Sequence, residues 1–274
     1  MKDGLFIINK PKGITSHDVV AKVRKKLQTK KVGHTGTLDP MATGVLVICV
    51  GAATKLVQYL TCEDKIYDVE MQLGIKTDTG DITGKVVETQ NEKQVIFDSS
   101  ILYKFVGKQK QIPPMYSAIK KDGVKLYELA RKGIEVEREA RDIEIFDISN
   151  VEYSENIIKY RVHCSKGTYV RVLCEEMAEA LGTIGTMTKL NRVKTGQFSI
   201  DNACELDDVC DEKIVPMEDI FAQSISIGDE INKLINGMSI EKNVQDGLYN
   251  LYHDGKYIGL GDVKNKKLKR KIII

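Results

Sequence analysis

Residues 32–50 read VGHTGTLDPMATGVLVICV, and within them one carboxylate, that of Asp39, stands between a loop rich in glycine and threonine and a continuous apolar run. The apolar run, VLVICV at 45–50, is typical of a buried strand. Pro40 disfavours helical backbone angles for the residue before it, so Asp39 is expected to be extended where a turn begins. The stretch therefore predicts a carboxylate held just outside a rigid core strand.

Aspartate followed by proline is also a common way to begin a helix. In that alternative, Asp39 is the N-cap and Pro40 is the first helical residue. The local pattern leaves both interpretations of Asp39 open.

The composition is that of an ordinary soluble globular protein. The chain has 274 residues, of which 42% are hydrophobic and 29% charged, enough for one large domain with a small companion. No apolar stretch approaches the roughly 20 residues of a membrane span, and the N-terminus MKDGLFIINKPKG lacks a signal-peptide pattern. We expect a cytoplasmic protein that does not interact with membranes.

The sequence lacks the usual signals for metals and nucleotide cofactors. The 6 cysteines include no CxxC pair, and the 4 histidines have no paired-ligand spacing. Neither a GxxxxGK[ST] phosphate loop nor a GxGxxG fingerprint is present. We therefore expect reduced thiols, no metal and no cofactor.

Two short basic segments bear on whether RNA is a partner. The formal net charge is only +2, but KVRKK occupies 22–26, and KNKKLKRK at 264–271 has six basic residues out of eight. Each segment alone is typical of a solvated face. Together, and with 11 tyrosines in the chain, they make RNA a candidate partner.

The periodicity predicts an α+β chain. Tyr67 lies on the apolar face of an alternating strand at 66–73. A turn-rich loop follows at 77–85, in which Asp78 and Asp81 are expected to be exposed or to line a cleft. The remaining predictions are a helix opened by Ser16, a helix over 98–106, a Pro-interrupted loop and short helix over 111–133, strands at 142–152, 157–164 and 194–200, and a closing helix at 216–222.

A further helix carries a cation in its first turn. Thr168 is its candidate N-cap, Gly182 its stop, and Arg171 flanks its buried stripe. A surface arginine is one interpretation. A cation at the positive end of a helix dipole is mildly unfavourable, however, which favours an anionic partner, either a carboxylate or a phosphate.

The chain changes character near residue 225. Beyond it, short alternations of polar and apolar residues are broken by glycine, a pattern typical of a small β-rich barrel. We predict one domain over 1–225 and a second over 226–274.

Several segments between residues 9 and 198 together carry a resemblance to a known family. They are NKPKGITS (9–16), GHTGTLDPMATGVL (33–46), GAATK (51–55), KIYDVEMQLG (65–74), TDTGDITG (77–84), PPMYSAIKKDGVKLYELARKG (113–133), SKGTYVRVL (165–173) and NRVKTGQF (191–198). With these segments in family order, the sequence resembles the TruB family of tRNA pseudouridine synthases, which isomerise uridine-55 in the T loop of tRNA. The tail from about 226 is similar to the small PUA-type RNA-binding barrel of bacterial members.

The resemblance implies a fold, a partner and a set of site residues. The expected fold is a mixed or antiparallel sheet with flanking helices, an RNA-binding insertion at about 98–140 and a PUA-like barrel. The expected partner is the T stem-loop of tRNA, bound by a monomer without a protein partner. Asp39, Arg171 and Tyr67 are implied as the catalytic residues, with Arg171 expected to keep Asp39 charged when water is excluded.

Four further residues are implied around the substrate. His34 is expected to fill the space left by an extracted base, and Lys10 to support Tyr67 or a phosphate. Leu190 and Arg192 are expected to lie near the pocket. Tyr67 and His34 are, as residue types, also typical of plain core packing.

Two other functions are compatible with the residues. A glycoside hydrolase would use Asp39 as nucleophile and Asp78 or Asp81 as acid, and it requires two carboxyl groups about 5 to 10 Å apart. A non-catalytic RNA binder or folding chaperone would use the same surface without chemistry.

Overall fold

The computed structural model describes residues 3–90 and 97–274. The strands within those ranges are β1 (Gly4–Lys10), β2 (Val32–His34), β3 (Thr43–Val50), β4 (Lys65–Leu73), β5 (Ile75–Thr77), β6 (Val86–Thr89), β7 (Gly107–Gln111), β8 (Lys120–Lys121), β9 (Val124–Lys125), β10 (Arg141–Ser154), β11 (Ile157–Cys164), β12 (Gly185–Thr195), β13 (Phe198–Ser199), β14 (Cys204–Glu205), β15 (Val215–Pro216), β16 (Ser224–Ser226), β17 (Ile240–Glu241), β18 (Gly247–His253), β19 (Lys256–Lys264) and β20 (Lys267–Ile273).

The helices of the same ranges are few and short. They are α1 (Ser16–Lys26), α2 (Val57–Leu60), α3 (Ser99–Tyr103), α4 (Leu126–Ala130), α5 (Val170–Ala180) and α6 (Ile231–Ile235). Single 3-10 turns lie at Gly51–Leu56, Ile200–Asn202, Leu206–Asp208, Asp211–Lys213 and Met217–Asp219. None of the helices in the described part of the chain is long and apolar enough to cross a membrane.

The core of the molecule is a large mixed sheet, which confirms the predicted α+β class. Its main path over the described residues runs β14, β1, β3, β12, β4, β11, β10, β7, with β2, β13 and β15 paired at its side. Most pairs are antiparallel, whereas β12 runs parallel to β3 and β14 parallel to β1. The parallel pair β3–β12 places the end of the loop that carries Asp39 beside the middle of β12.

The alternation predicted at 66–73 is confirmed. Every second residue of β4, from Lys65 to Leu73, is buried, because one face of this strand packs on the main apolar cluster and the other faces partly outward. The strand β12, which pairs with β4 along its whole length, was predicted only at its C-terminal end.

Helix α1 begins one residue earlier than the sequence suggested. Thr15, not Ser16, is the N-cap, and it forms a capping box with Asp18. Ser16 is buried instead, and its hydroxyl accepts a hydrogen bond from the Leu38 N–H at 2.8 Å and donates to the Leu38 carbonyl at 3.1 Å. The start of α1 is thereby tied to the residue before Asp39.

No helix begins at Pro40, so the interpretation of Asp39 as an N-cap is wrong. The chain makes a single turn there, closed by a hydrogen bond from the Ala42 N–H to the Asp39 carbonyl at 3.0 Å. Strand β3 starts immediately afterwards, at Thr43. Asp39 is therefore carried by a turn between a loop and a core strand, as the first interpretation predicted.

Three other boundaries differ from the predictions. Helix α5 is capped by Tyr169, without a side-chain hydrogen bond, because the Thr168 hydroxyl donates to the Ser165 carbonyl instead. The strand predicted at 194–200 is broken at Gly196, whose positive φ of 51° makes the turn between β12 and β13. The helix predicted at 216–222 is only the 3-10 turn Met217–Asp219.

The C-terminal strands form a second, five-stranded sheet in the order β16, β18, β19, β20, β17. It curls into a half-barrel that fits the predicted PUA-like module. Leu260 and Ile272 of this sheet share an apolar cluster with Leu5 and Ile7 of β1. The half-barrel therefore packs directly on the back of the large sheet.

Candidate active site

A carboxylate and a guanidinium meet at the centre of the site. Arg171 Nε lies 3.0 Å from Asp39 Oδ2. The Asp39 side chain is 34% exposed, whereas that of Arg171 is only 6% exposed. The surface interpretation of Arg171 is therefore wrong, and its anionic partner in this structure is a carboxylate that solvent can still reach.

Arg171 also holds two loops through their backbone. Its Nη1 donates to the Thr79 carbonyl and its Nη2 to the Tyr116 carbonyl, both at 2.7 Å. Thr79 belongs to the loop between β5 and β6, and Tyr116 to the segment between β7 and β8. One side chain thus connects helix α5 to three separate segments.

A second carboxylate, Asp81, lies on the other side of this arginine. Its Oδ2 is 4.0 Å from Arg171 Nε, and its Oδ1 accepts hydrogen bonds from the Thr83 N–H at 2.9 Å and the Thr79 hydroxyl at 3.2 Å. Asp81 is buried, which differs from the expectation that it is exposed or lines a cleft. Asp78 is exposed, as expected.

The pKa of the Asp39 carboxyl is raised above its ordinary value. Burial is the largest cause, Arg171 opposes it, and the negative charge of Asp81 adds to it. The guanidinium therefore offsets only part of the effect of burial. A carboxylate of raised basicity results, still held by a cation.

Lys10 lies beneath the Asp39 turn and is 0% exposed. Its Nζ donates to the carbonyls of Ile14 at 2.7 Å, Pro11 at 2.9 Å and Pro40 at 3.4 Å. Burial lowers the pKa of this ammonium to about 8, with Asp39 opposing the shift. Because its three donors face backbone carbonyls, Lys10 supports the Pro40 turn and does not present a free ammonium to a phosphate.

Tyr67 and Leu190 lie on the neighbouring strands β4 and β12. Both are 8% exposed and belong to the main apolar cluster. Burial raises the pKa of the Tyr67 hydroxyl, and the positive charge of Arg192 opposes that effect. Tyr67 is thus both a core residue and a neighbour of the charged groups, because Asp39 also acts on its pKa.

Arg192 is buried beside the loop that precedes Asp39. Its Nε donates to the Val45 carbonyl at 2.7 Å, and its two Nη groups donate to the carbonyls of Gly36 and Thr37 at 3.2 and 3.4 Å. The strands approach closely here, since a Cβ on Gly44 would lie 2.3 Å from the Arg192 carbonyl oxygen.

His34 lies at the end of β2 and is half-buried. Burial lowers the pKa of its imidazole, with Arg192 acting in the same direction. Its Nδ1 is buried without a hydrogen-bond partner among the described residues. The imidazole therefore has one nitrogen without a hydrogen-bond partner among the described residues, and it lies at the end of β2, just before the loop that carries Asp39.

A cleft of about 460 Å³ opens beside Arg171. It is lined by the Asp78–Gly80 loop, by residues of α5 and by the segment that follows β7. Its lining includes the apolar side chains of Ile112, Met115 and Ile134 and the carboxyl group of Glu175. The cleft therefore lies between Arg171 and the insertion predicted at 98–140, and Asp39 is not part of its lining.

The residues expected from the sequence have contacts of different kinds. Asp39 and Arg171 form an ion pair, and Lys10 and Arg192 bind backbone carbonyls of the Asp39 turn and of the loop before it. Asp39 and Arg192 both act on the pKa of Tyr67, whereas Leu190 shares the main apolar cluster with Tyr67 and His34 lies at the end of β2. Sequence reasoning missed the link between Asp81 and Arg171, although the threonines of TDTGDITG that hold Asp81 were visible. Within residues 3–90 and 97–274, no group of three or more His, Cys, Asp or Glu side chains is arranged to hold a metal ion.

Solved structures with the same fold define the class of protein. A chain in the crystal structure of a Cbf5–Nop10–Gar1 complex is similar over 98% of this chain and 84% of its own, with a TM-score of 0.71 and 24% identity. A chain in an H/ACA RNP bound to a substrate RNA containing 2'-deoxyuridine is similar over 94% of this chain and 77% of its own, with a TM-score of 0.67 and 23% identity. The fold is that of a pseudouridine synthase.

The family follows from the sequence comparison. Residues 24–170 match the N-terminal domain of the TruB family pseudouridylate synthases, and residues 171–238 match the tRNA pseudouridylate synthase B C-terminal domain. The chain belongs to the TruB family.

Proteins called tRNA pseudouridine synthase B are similar to it over nearly their whole length. That of Clostridium kluyveri is 44% identical over 97% of this chain and 98% of its own length. That of Fusobacterium nucleatum is 42% identical, covering 97% of each chain.

Proposed function

We propose that this protein isomerises uridine to pseudouridine in tRNA, at position 55 of the T loop. The reaction cleaves the bond between ribose C1′ and uracil N1, rejoins C1′ to C5 and releases the C5 hydrogen. Membership of the TruB family and the names of its relatives support this activity.

The 3.0 Å contact between Arg171 Nε and Asp39 Oδ2 is the observation that carries the proposal. It holds one carboxylate oriented, paired with a cation and partly open to solvent, at the start of a turn. A carboxylate of this kind can attack or stabilise an electron-poor carbon without a separate activating base. Its raised basicity is compatible with that role.

Tyr67 is proposed to lie against the target base. Tyr67 belongs to the β4 strand of the core sheet, and the charges of Asp39 and Arg192 both act on the pKa of its hydroxyl. A base must leave the stack of the T loop to reach this position, at a cost of a few kcal/mol. His34 is proposed to fill the space that the base leaves.

Two surfaces are proposed to bind the RNA backbone. The insertion at 98–140 contains nine Lys or Arg and six Asp or Glu residues, so its net charge exceeds that of the whole chain. In the half-barrel, proposed as an RNA-binding domain over 226–274, Asp262 pairs with Lys264 and Lys271 at 3.7 and 3.2 Å. Four further basic residues of the same hairpin are exposed: Lys266, Lys267, Lys269 and Arg270.

The deciding experiment uses unmodified tRNA labelled with tritium at uridine C5. Release of tritium by the protein, and its loss in Asp39→Ala and Asp39→Asn, are the expected results. Circular dichroism of both variants controls for folding. Absence of release from the unaltered protein contradicts the proposed activity.

The same RNA separates the two other functions from isomerisation. A glycoside hydrolase would liberate free uracil and would need a second carboxyl group. Asp81 is buried and already hydrogen-bonded, whereas Asp78 is exposed and lines the cleft, so the reaction product distinguishes the two activities. A chaperone without chemistry would keep its function in Asp39→Asn. Neither alternative is favoured by the family.

The T stem-loop is proposed to be sufficient as substrate, bound by a monomer. An isolated stem-loop carrying the labelled uridine is then expected to release tritium, with the rate proportional to enzyme concentration. Five phosphate contacts would give a slope of log affinity against log salt of roughly −3.5.

A further inference from the structure

Arg192 binds the backbone on both sides of the Asp39 turn. The carbonyls of Gly36 and Thr37 belong to the loop that leads into Asp39, and Val45 follows it at the start of the core strand. The loop itself contains glycine, which leaves its backbone free to adopt other angles. The guanidinium supplies planar, directional donors that match several carbonyls at once.

The burial of Arg192 separates it from solvent and from any phosphate on the surface. The residue is 2% exposed, and three of its nitrogens already donate to carbonyl oxygens. Phosphate contacts are made by cations that line an accessible groove. Lys194, two residues further along the same strand, is exposed and carries the same charge without these contacts.

Arg192 also neighbours a second residue of the site. It pairs with Tyr67 across strands β12 and β4, and its positive charge opposes the rise in the pKa of the Tyr67 hydroxyl. Residues paired in this way present their side chains on the same face of the sheet. The same residue thus connects the loop that carries the carboxylate with Tyr67. Removal of the guanidinium would therefore allow the Asp39 loop to move slightly relative to Tyr67.

We propose that Arg192 is a positioning residue, which fixes the Asp39 loop against Tyr67, and that it does not bind an RNA phosphate. This role rests on the proposed function, because the reaction that benefits is the isomerisation at Asp39. It differs from the substrate-binding role that the sequence suggested for Arg192.

The first test separates chemistry from binding. Arg192→Lys and Arg192→Gln are compared with Lys194→Gln as a same-strand control, using tritium release under single-turnover conditions with saturating enzyme. Loss of alignment is expected to slow both Arg192 variants about 100-fold, while RNA affinity and its salt slope stay at the values of the unaltered protein. Lys194→Gln is expected to keep the rate.

A phosphate-binding role would give the opposite result. In Arg192→Gln, the slope of log affinity against log salt would become shallower by about 0.7, because one phosphate fewer is neutralised, and the rate at saturation would be unchanged. Either an unchanged rate in Arg192→Lys or a shallower slope in Arg192→Gln overturns the positioning role.

The second test does not depend on the reaction. Hydrogen exchange is measured on the RNA-free protein for the amides of residues 35–42 and, as a control, for those of β11. Arg192→Lys is expected to speed exchange in the loop alone, because the N–H groups of Thr35 and Leu38 are hydrogen-bonded there. If the exchange rates of the loop amides are unchanged in Arg192→Lys, the proposal is overturned. Faster exchange throughout Arg192→Lys, including β11, also overturns it, because the effect is then not confined to the loop.

Absence of tritium release from the unaltered protein would instead reject the proposed function. The exchange result would still decide whether Arg192 fixes the loop.

Discussion

Replacing Arg171 by alanine removes three interactions at once. The ion pair with Asp39 and the hydrogen bonds to the Thr79 and Tyr116 carbonyls all disappear. Hydrogen bonds that involve a charged group contribute about 1.5–3 kcal/mol each, so the two carbonyl bonds contribute about 3 to 6 kcal/mol together. The ion pair is partly exposed on the Asp39 side and adds only about 1 kcal/mol.

The loss of stability is expected to be visible as a lower melting temperature. For a chain of this size, about 1 kcal/mol corresponds to roughly 2–4 °C, so Arg171→Ala is expected to melt roughly 10 °C lower or more. Differential scanning calorimetry measures this. Arg171→Lys keeps the charge but has a single nitrogen for three acceptors. We expect its melting temperature to lie between those of the unaltered protein and Arg171→Ala.

The effect on activity has a defined pH dependence. Arg171 opposes the rise of the Asp39 pKa that burial causes, so its removal raises that pKa further. The reaction needs the carboxylate, and the acid limb of the rate profile is therefore expected to move to higher pH. Lost orientation of the carboxylate slows the rate on the plateau by about 100-fold or more.

Tritium release from C5-labelled tRNA, measured over a range of pH below the folding limit of each variant, checks both effects. Asp39→Asn serves as the control that keeps Arg171 and its carbonyl contacts but removes the charge. Near-normal turnover in Arg171→Ala, with an acid limb at its original position, would refute the role of Arg171 as partner of Asp39.

Three further outcomes follow from the contacts around the site. Asp81→Asn removes the second negative charge beside Arg171, and that charge raises the pKa of Asp39. The acid limb of the pH profile of tritium release is therefore expected to move to lower pH, opposite to its shift in Arg171→Ala. An acid limb that stays in place contradicts the coupling between Asp81 and Asp39. Ser16→Ala removes the hydroxyl that binds both backbone groups of Leu38, and it is expected to lower the free energy of unfolding in urea by about 1–3 kcal/mol and to slow turnover. The control Thr15→Ala removes only the exposed cap of α1, and it is expected to lower the free energy of unfolding by about 1 kcal/mol and to keep turnover. Lys10 has a pKa of about 8 in the folded protein against an ordinary lysine value of 10.5, so the unfolded chain binds more protons between these values and stability is expected to rise with pH across that window. Relative to Lys10→Met, the rise in the free energy of unfolding across this window approaches about 3 kcal/mol. If the difference in unfolding free energy between the two proteins does not change with pH, Lys10 is not a buried ammonium.

Several elements near the site were predictable because their signals are local. The alternation of β4 placed Tyr67 on the buried face, and Pro40 indicated an extended residue at Asp39. The helix that carries Arg171 was predicted from its apolar stripe and from Gly182, which has a positive φ of 77°. Its cap was misplaced by one residue, because whether the Thr168 hydroxyl caps the helix or the preceding turn depends on how the turn closes.

The contacts that were not predicted join groups that are distant in sequence. Ser16 is a residue type that often caps helices, but its hydroxyl forms hydrogen bonds with the backbone of Leu38, 22 residues away. Lys10 was expected to support Tyr67 or a phosphate and Arg192 to lie near the pocket, and in the structure both donate to carbonyls of other segments. Residue type predicts the capacity to donate, and only the fold decides which acceptor is nearest.

The amino-acid sequence alone determined the family, the segment that holds the carboxylate and the class of fold, because motifs, periodicity and turn residues act over a few neighbouring positions. The tertiary structure decided which charges meet. Asp39 and Arg171 are 132 positions apart, and their 3.0 Å contact exists because β3, β12 and β4 lie side by side and α5 packs on them. The raised pKa of Asp39 has the same origin, since burial and neighbouring charge are properties of the assembled site and not of any one segment.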